Sequence, residues 1–149
     1  MKQLITRILL LVDRSSAAVP AAKYAIEMAR QQKARLVAAT VIDTESLRNL
    51  LRAHIFVNQE VDEYEKEMEA SSMKQINYIV ELARKEKVEV SSLALKGSVH
   101  AAILSHMRSA EYDFLILPGF VSSIAKRDLA AREKQLIVDE TPCPVLLVR

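Results

Sequence analysis

The chain has 149 residues, half of them hydrophobic and 27% charged, which is the composition of one globular domain and too little for two. Its 21 Lys and Arg against 19 Asp and Glu leave a formal charge of +2, too near balance to direct it to nucleic acid or a membrane surface. A single cysteine, Cys143, excludes an internal disulfide and a cysteine-rich metal site, while two glycines, Gly97 and Gly119, exclude an intact Walker A loop or Rossmann fingerprint.

From Met1 the chain leads straight into a strand-like run, so no signal peptide is expected, and no apolar stretch approaches the ~18 residues of a membrane span. Arg7 to Val12 is short, almost wholly apolar, and stops at Asp13, which suits a strand buried on both faces of a parallel sheet. Ala18, Ala21, Ala22, Ala25, Met28 and Ala29 then recur at helical steps up to about Gln32, with Pro20 tolerated in the first turn. Leu36 to Ile42 predicts a second strand, ending at Asp43. The connection from Asp43 to Gln59 is long and apolar, and reads as a lid, a partner contact or an early extension of the next helix.

That helix is predicted over roughly Val61 to Lys87, acidic at its start and basic at its finish as the helix dipole favours. Val88, Val90, Leu93 and Leu95 form a more polar, alternating strand suited to a sheet edge. Helices around Val99 to Ala110 and Leu129 to Asp139 flank a strand at Phe114 to Leu117. Thr141-Pro142-Cys143-Pro144 breaks the last helix before the strand Val145 to Val148. Strand and helix alternate throughout, which predicts α/β architecture: a single domain over 1–149 with one open five-stranded parallel sheet and helices on both faces.

Ligands of such sheets bind outside the carboxyl ends of the strands, where Asp13, Asp43, Gly97 and Pro118-Gly119 are delivered. Asp13 suits an acceptor for ribose hydroxyls or an amino group, and equally a turn aspartate satisfying the N–H groups of the following helix. Gly97 suits a positive φ, a close backbone approach, or a phosphate at a helix N-terminus. His54, His100 and His106 lack metal-ligand spacing, and no serine has a recognisable histidine partner, so no catalytic centre is legible.

Taken in order, Ile8-Leu9-Leu10-Leu11-Val12-Asp13, Ser15, Ala21 and Ala25, Val41, Gly97, Tyr112 to Gly119, and Pro142-Cys143-Pro144-Val145-Leu146-Leu147-Val148-Arg149 resemble the universal stress protein family over essentially the whole chain. The resemblance implies an adenine-nucleotide alpha-hydrolase-like sheet of order 3-2-1-4-5, a homodimer joined through the last strand, and a cytoplasmic stress-response role. It also implies that Asp13 and Val41 face ribose and adenine.

Members of the family that bind ATP carry a glycine, two residues, a second glycine, nine residues, then glycine with serine or threonine. Here Gly119 keeps the first position, Ser122 stands at the second, and the third pair is either Arg132-Glu133 or Ala131-Arg132. Pro118 removes a further N–H from the loop, and Arg14 replaces the glycine that commonly follows the aspartate. The nucleoside half is better kept than the phosphate half. Ser122, Ser123, Lys126, Arg127 and Arg132 could replace backbone donors with hydroxyls and cations, although Asp128 and Glu133 lie among them.

Two readings follow. One is a non-enzymatic homodimer that works through contacts with an unidentified protein partner and holds no tight ATP or other cofactor. The other is an adenine-nucleotide-binding regulator with weak AMP or ATP affinity and slow hydrolysis at most. Its site would combine Asp13, Val41, Gly97, Gly119, Ser122 and Ser123.

Overall fold

The structure, a computed structural model, describes residues 3–119 and 129–149. Among the described residues five strands and five helices follow one another as β1 (Arg7–Leu11), α1 (Ala18–Gln32), β2 (Arg35–Asp43), α2 (Thr44–Arg52), α3 (Asn58–Lys85), β3 (Val90–Gly97), α4 (Val99–Ser109), β4 (Phe114–Pro118), α5 (Leu129–Glu140) and β5 (Val145–Val148). The strands form one parallel sheet of order β3-β2-β1-β4-β5, as expected.

The apolar run of β1 explains its central place. Ile8 aligns with Leu36 of β2 on one side and Phe114 of β4 on the other, so every residue must suit burial on both faces. Ile8 and Leu10 turn to one face, where they meet Ala21, Ala22, Ala25 and Ala29 of α1 and Ile76, Ile79 and Ala83 of α3. Leu9 and Leu11 turn to the other, against Ile103 and Met107 of α4 and Ile137 of α5. The small-residue stripe of α1 brings its backbone close to the sheet, and all four of those alanines are buried. By contrast, β3 has no fully buried residue and from Ser92 onward alternates exposed and half-buried positions, as befits the edge it occupies.

The connection after β2 departs from a loop or a simple extension of the next helix. It folds into a separate helix, α2, because the Asp43 side chain caps it, accepting from Ser46 N–H at 3.0 Å and Ser46 Oγ at 2.7 Å. The helix ends where His54 adopts φ +57°, and α3 then starts at Asn58, earlier than the predicted Val61. Only Leu47 of α2 is buried.

Candidate functional site

At the carboxyl end of β1 the chain leaves the sheet through Val12, whose N–H still bonds the Ala39 carbonyl of β2 at 2.8 Å. Asp13 follows. Its Oδ1 accepts from the Ser15 N–H at 3.0 Å and the Ser15 hydroxyl at 2.6 Å, which shapes the turn into α1. Its other oxygen, Oδ2, lies 2.7 Å from the ammonium of Lys134 on α5. The same ammonium donates to the Gly119 carbonyl, just past β4, at 3.2 Å. Gln75 of α3 completes the junction by donating from Nε2 to the Asp13 carbonyl at 2.6 Å.

Lys134 is 6% exposed, although lysine rarely enters a core unpaired. Both of its partners here are oxygens, one of them charged, and that is what permits the burial. Asp13 therefore performs the turn role and, with the same carboxylate, neutralises a buried cation. The residue before Lys134 completes a second internal pairing. Glu133 Oε2 accepts from the backbone N–H of His100 at 2.9 Å and also pairs with His100 Nδ1. A carboxylate of the chain thus rests at the N-terminus of α4, where the dipole favours negative charge.

The other expected site residues fall apart into different settings. Val41 is half-buried and lines a cavity of about 120 Å³ with Asp13, Thr40, Ser72 and Gln75. Gly97 ends β3 at the sheet's edge, paired in register with Asp43, and does not line that cavity. Its φ of +125° is the reason for glycine, since a Cβ there would meet nothing within 4 Å. Gly119 is glycine for the opposite reason. Its N–H donates to the Val148 carbonyl at 2.6 Å, and a Cβ would stand 2.9 Å from that oxygen. Ser122 and Ser123, with Lys126, Arg127 and Asp128, lie outside the described residues, while Arg132 is exposed.

At the opposite end of the sheet, Asp113 Oδ2 accepts from Thr6 Oγ1 at 2.6 Å, Thr6 N at 2.8 Å and Arg7 N at 2.9 Å, bonds that hold its carboxyl below the usual carboxylate range. His106 Nε2 lies 2.6 Å from the Tyr112 hydroxyl, and burial, then the nearby Arg7 charge, lowers the imidazole pKa. The Arg7 guanidinium stacks 4.6 Å from the centre of the Tyr112 ring. Cys143 is half-buried against the core on the α4–α5 face of the sheet, and burial raises its thiol pKa. Among the described residues, no group of three His, Cys, Asp or Glu side chains is placed to hold a metal ion. None of the described helices is long and apolar enough to cross a membrane.

The sequence profile of the Universal stress protein family matches residues 5–149. The chain belongs to this family. Among solved structures, UspA from Lactobacillus plantarum is 21% identical and superposes with a TM-score of 0.78, over 97% of this chain and 98% of that one. A universal stress protein in complex with cAMP is 16% identical, with a TM-score of 0.70 over 97% of each chain. The universal stress protein from Archaeoglobus fulgidus in complex with dAMP is 13% identical, with a TM-score of 0.63 over 98% of this chain and 99% of that one. Among curated proteins, none matches. These likenesses establish a shared fold.

Lys134 is the site residue that sequence reasoning missed. It sits in the run Arg132-Glu133-Lys134-Gln135, which reads as a solvated helix face. A usable signal was its spacing from Ile137 and Val138, the apolar residues of the same helix: Lys134 lies three and four positions earlier, on the buried face of this universal stress protein helix.

Proposed function

We propose that this universal stress protein is a non-enzymatic cytoplasmic stress-response module that acts as a homodimer through protein contacts and holds no tight ATP. The observation that carries the reading is the Asp13–Lys134 pair. A nucleotide using the Asp13 carboxylate must compete with a buried lysine, and leaving one charge of a buried pair without its partner costs up to about 3–5 kcal/mol. At that upper bound the loss is roughly two to three and a half orders of magnitude in affinity. Glu133 adds a second obstacle, because a phosphate approaching the N-terminus of α4 would meet a carboxylate already there. Pro118 removes a backbone donor as well, and side chains at the motif's glycine positions hinder the close approach of the remaining N–H groups to a phosphate.

The dimer part of the proposal rests on β5. It occupies a sheet edge, and Leu147 is 39% exposed in its middle. An apolar edge strand without an internal proline or charge invites pairing with its own copy about a two-fold axis.

Complexes of related folds with cAMP and dAMP favour the second reading, weak binding of an AMP-like ligand by the Asp13 and Val41 half of the crevice. Calorimetry with ATP and AMP separates the two, together with identification of any nucleotide released on heat denaturation. The proposal expects no ATP heat at low micromolar concentration and no co-purified nucleotide, and one ATP per chain at micromolar affinity would reject it. Light scattering tests the dimer: Leu146→Lys should yield monomers, and a wild-type chain that is monomeric at tens of micromolar would refute it.

A further inference from the structure

We infer that the corner between α2 and α3 is a docking surface for a basic amphipathic helix of a partner protein, seated on Ile55, Val57 and Tyr64. The inference rests on the proposed reading and deepens it, giving its protein contacts a place and a chemistry.

The first observation is an arm that the sheet does not hold. Of α2 only Leu47 is buried, and α3 has no buried residue before Ser72, so its first half lies outside the core. Helices in proteins draw most of their stability from a packed face, and this half lacks one within its own chain. The corner itself is nevertheless firmly built. The Ile55 N–H donates to the Leu50 carbonyl at 3.0 Å and the His54 N–H to the Leu51 carbonyl at 3.1 Å, a Schellman closure with His54 in its left-handed position. The Phe56 ring then meets that of Tyr64, with 6.1 Å between centroids.

The second is what this corner turns to solvent. Ile55 is 62% exposed, Val57 60% and Tyr64 41%, two aliphatic side chains and an aromatic one around a single turn. Exposed apolar groups gathered within a polar rim mark contact surfaces. Val57 is also the N-cap of α3 and makes no side-chain cap bond. Valine is among the poorest residues for that place, where serine or aspartate would satisfy an amide of the first turn. A local rule broken with no return inside the chain is expected at a functional position.

Charge names the occupant. Residues 44–71 hold seven acids and three cations, net −4 in a chain of formal charge +2. Glu65 and Glu69 are taken by Lys96, whereas Glu60, Asp62, Glu63 and Glu67 are exposed and form no ion pair with another described residue. The helix dipole accounts for Glu60 in the first turn. It does not account for Glu63 and Glu67, whose repulsion at four-residue spacing weakens α3. Lysines and arginines flanking an apolar helix face would relieve that repulsion while the face covers Ile55 and Val57. The arm packs against β2 and β3, at the sheet edge opposite β5, so the proposed dimer leaves it open on both protomers.

The test titrates the full isotope-labelled chain with a synthetic Leu/Lys peptide of amphipathic helical order. A Leu/Glu peptide of the same order and a Leu/Lys peptide of scrambled order are the controls. Saturable shifts of the Ile55, Val57, Glu60 and Glu63 amides are expected with the first peptide alone, and added salt should weaken them. Ile55→Ser and Val57→Ser should each lower affinity about tenfold, as loss of a buried aliphatic side chain does. Serine improves the N-cap, so weaker binding by Val57→Ser cannot come from unfolding of α3. Absence of saturable shifts, equal affinity for either control peptide, or equal affinity in the wild type and Val57→Ser would overturn the surface. So would the same shifts on concentrating the chain alone, which would make the occupant a second copy. None of these outcomes bears on ATP, which calorimetry reads separately; micromolar ATP binding would reject the proposed function and leave the peptide titration standing.

Discussion

Lys134 and Asp13 lie near opposite ends of the chain and meet with 2.7 Å between ammonium and carboxylate, tying α5 to the turn that follows β1. The pair is buried on the lysine side and about one quarter exposed on the aspartate side, so it falls between a surface bridge and a core ion pair. Removing the lysine alone would leave a partly buried carboxylate solvated by Ser15 and by water on its exposed side.

Lys134→Ala is therefore expected to cost about 3 kcal/mol, the low end of the range for breaking a buried pair. Urea denaturation measures it. A double-mutant cycle with Asp13→Asn should show positive coupling, whereas additivity within about 0.5 kcal/mol would mean that the two side chains act independently.

Gly119→Ala should destabilise the junction of β4 and β5. The added Cβ would stand 2.9 Å from the Val148 carbonyl and 3.3 Å from the Arg149 Cα, and both are backbone atoms that cannot rotate aside. A loss of about 1–3 kcal/mol, typical of overpacking, is expected in thermal or urea unfolding. Retention of full stability would show that the close approach relaxes without strain.

A gain is expected at the end of α1. Lys33 holds φ +53° and ψ +39° there, a left-handed conformation that costs a residue with a Cβ about 1–2 kcal/mol. Lys33→Gly removes that cost, although glycine loses more entropy on folding, and the net stabilisation should be about 0.5–1 kcal/mol. The melting temperature reports it directly.

The His106–Tyr112 contact predicts a pH dependence on the mildly acidic side. Neutral His106 accepts from the Tyr112 hydroxyl, and burial holds its folded pKa below the usual value of 6.5. Between the folded pKa and about 6.5 the unfolded chain binds the extra proton, so stability is fully present above this window and declines as pH falls through it. Replacing His106 by Gln, which keeps an acceptor and removes the titration, should flatten that limb of the stability curve. An unchanged slope would assign the dependence to another group.

Much of the sheet could be read from residue order because hydrophobic pattern reports the number of covered faces. The unbroken run Ile8 to Val12 announced a strand covered on both faces, and the alternation in Val90 to Leu95 announced an edge. Two features escaped because they depend on partners distant in sequence or on signals the chain lacks. The break after α2 carries no glycine; His54 takes the left-handed position instead, leaving no mark to separate one helix from the next. The burial of Lys134 is created by the Asp13 carboxylate and Gly119 carbonyl, neither of which any local window contains. The two glycines were legible as special positions, yet which need each one served, a torsion at Gly97 or a backbone approach at Gly119, required the neighbours.

The central position of β1 also has a kinetic side. The strand is translated first, but its second neighbour, β4, begins only at Phe114. Throughout most of synthesis one edge of Ile8-Leu9-Leu10-Leu11 therefore lacks its strand, and an emerging apolar strand with an open edge is a template for intermolecular pairing. The sheet cannot close cotranslationally from its amino-terminal half. It must wait for β4 to supply the missing neighbour and for β5 to follow, so the sheet's centre is completed from both sides only after Phe114 has been made.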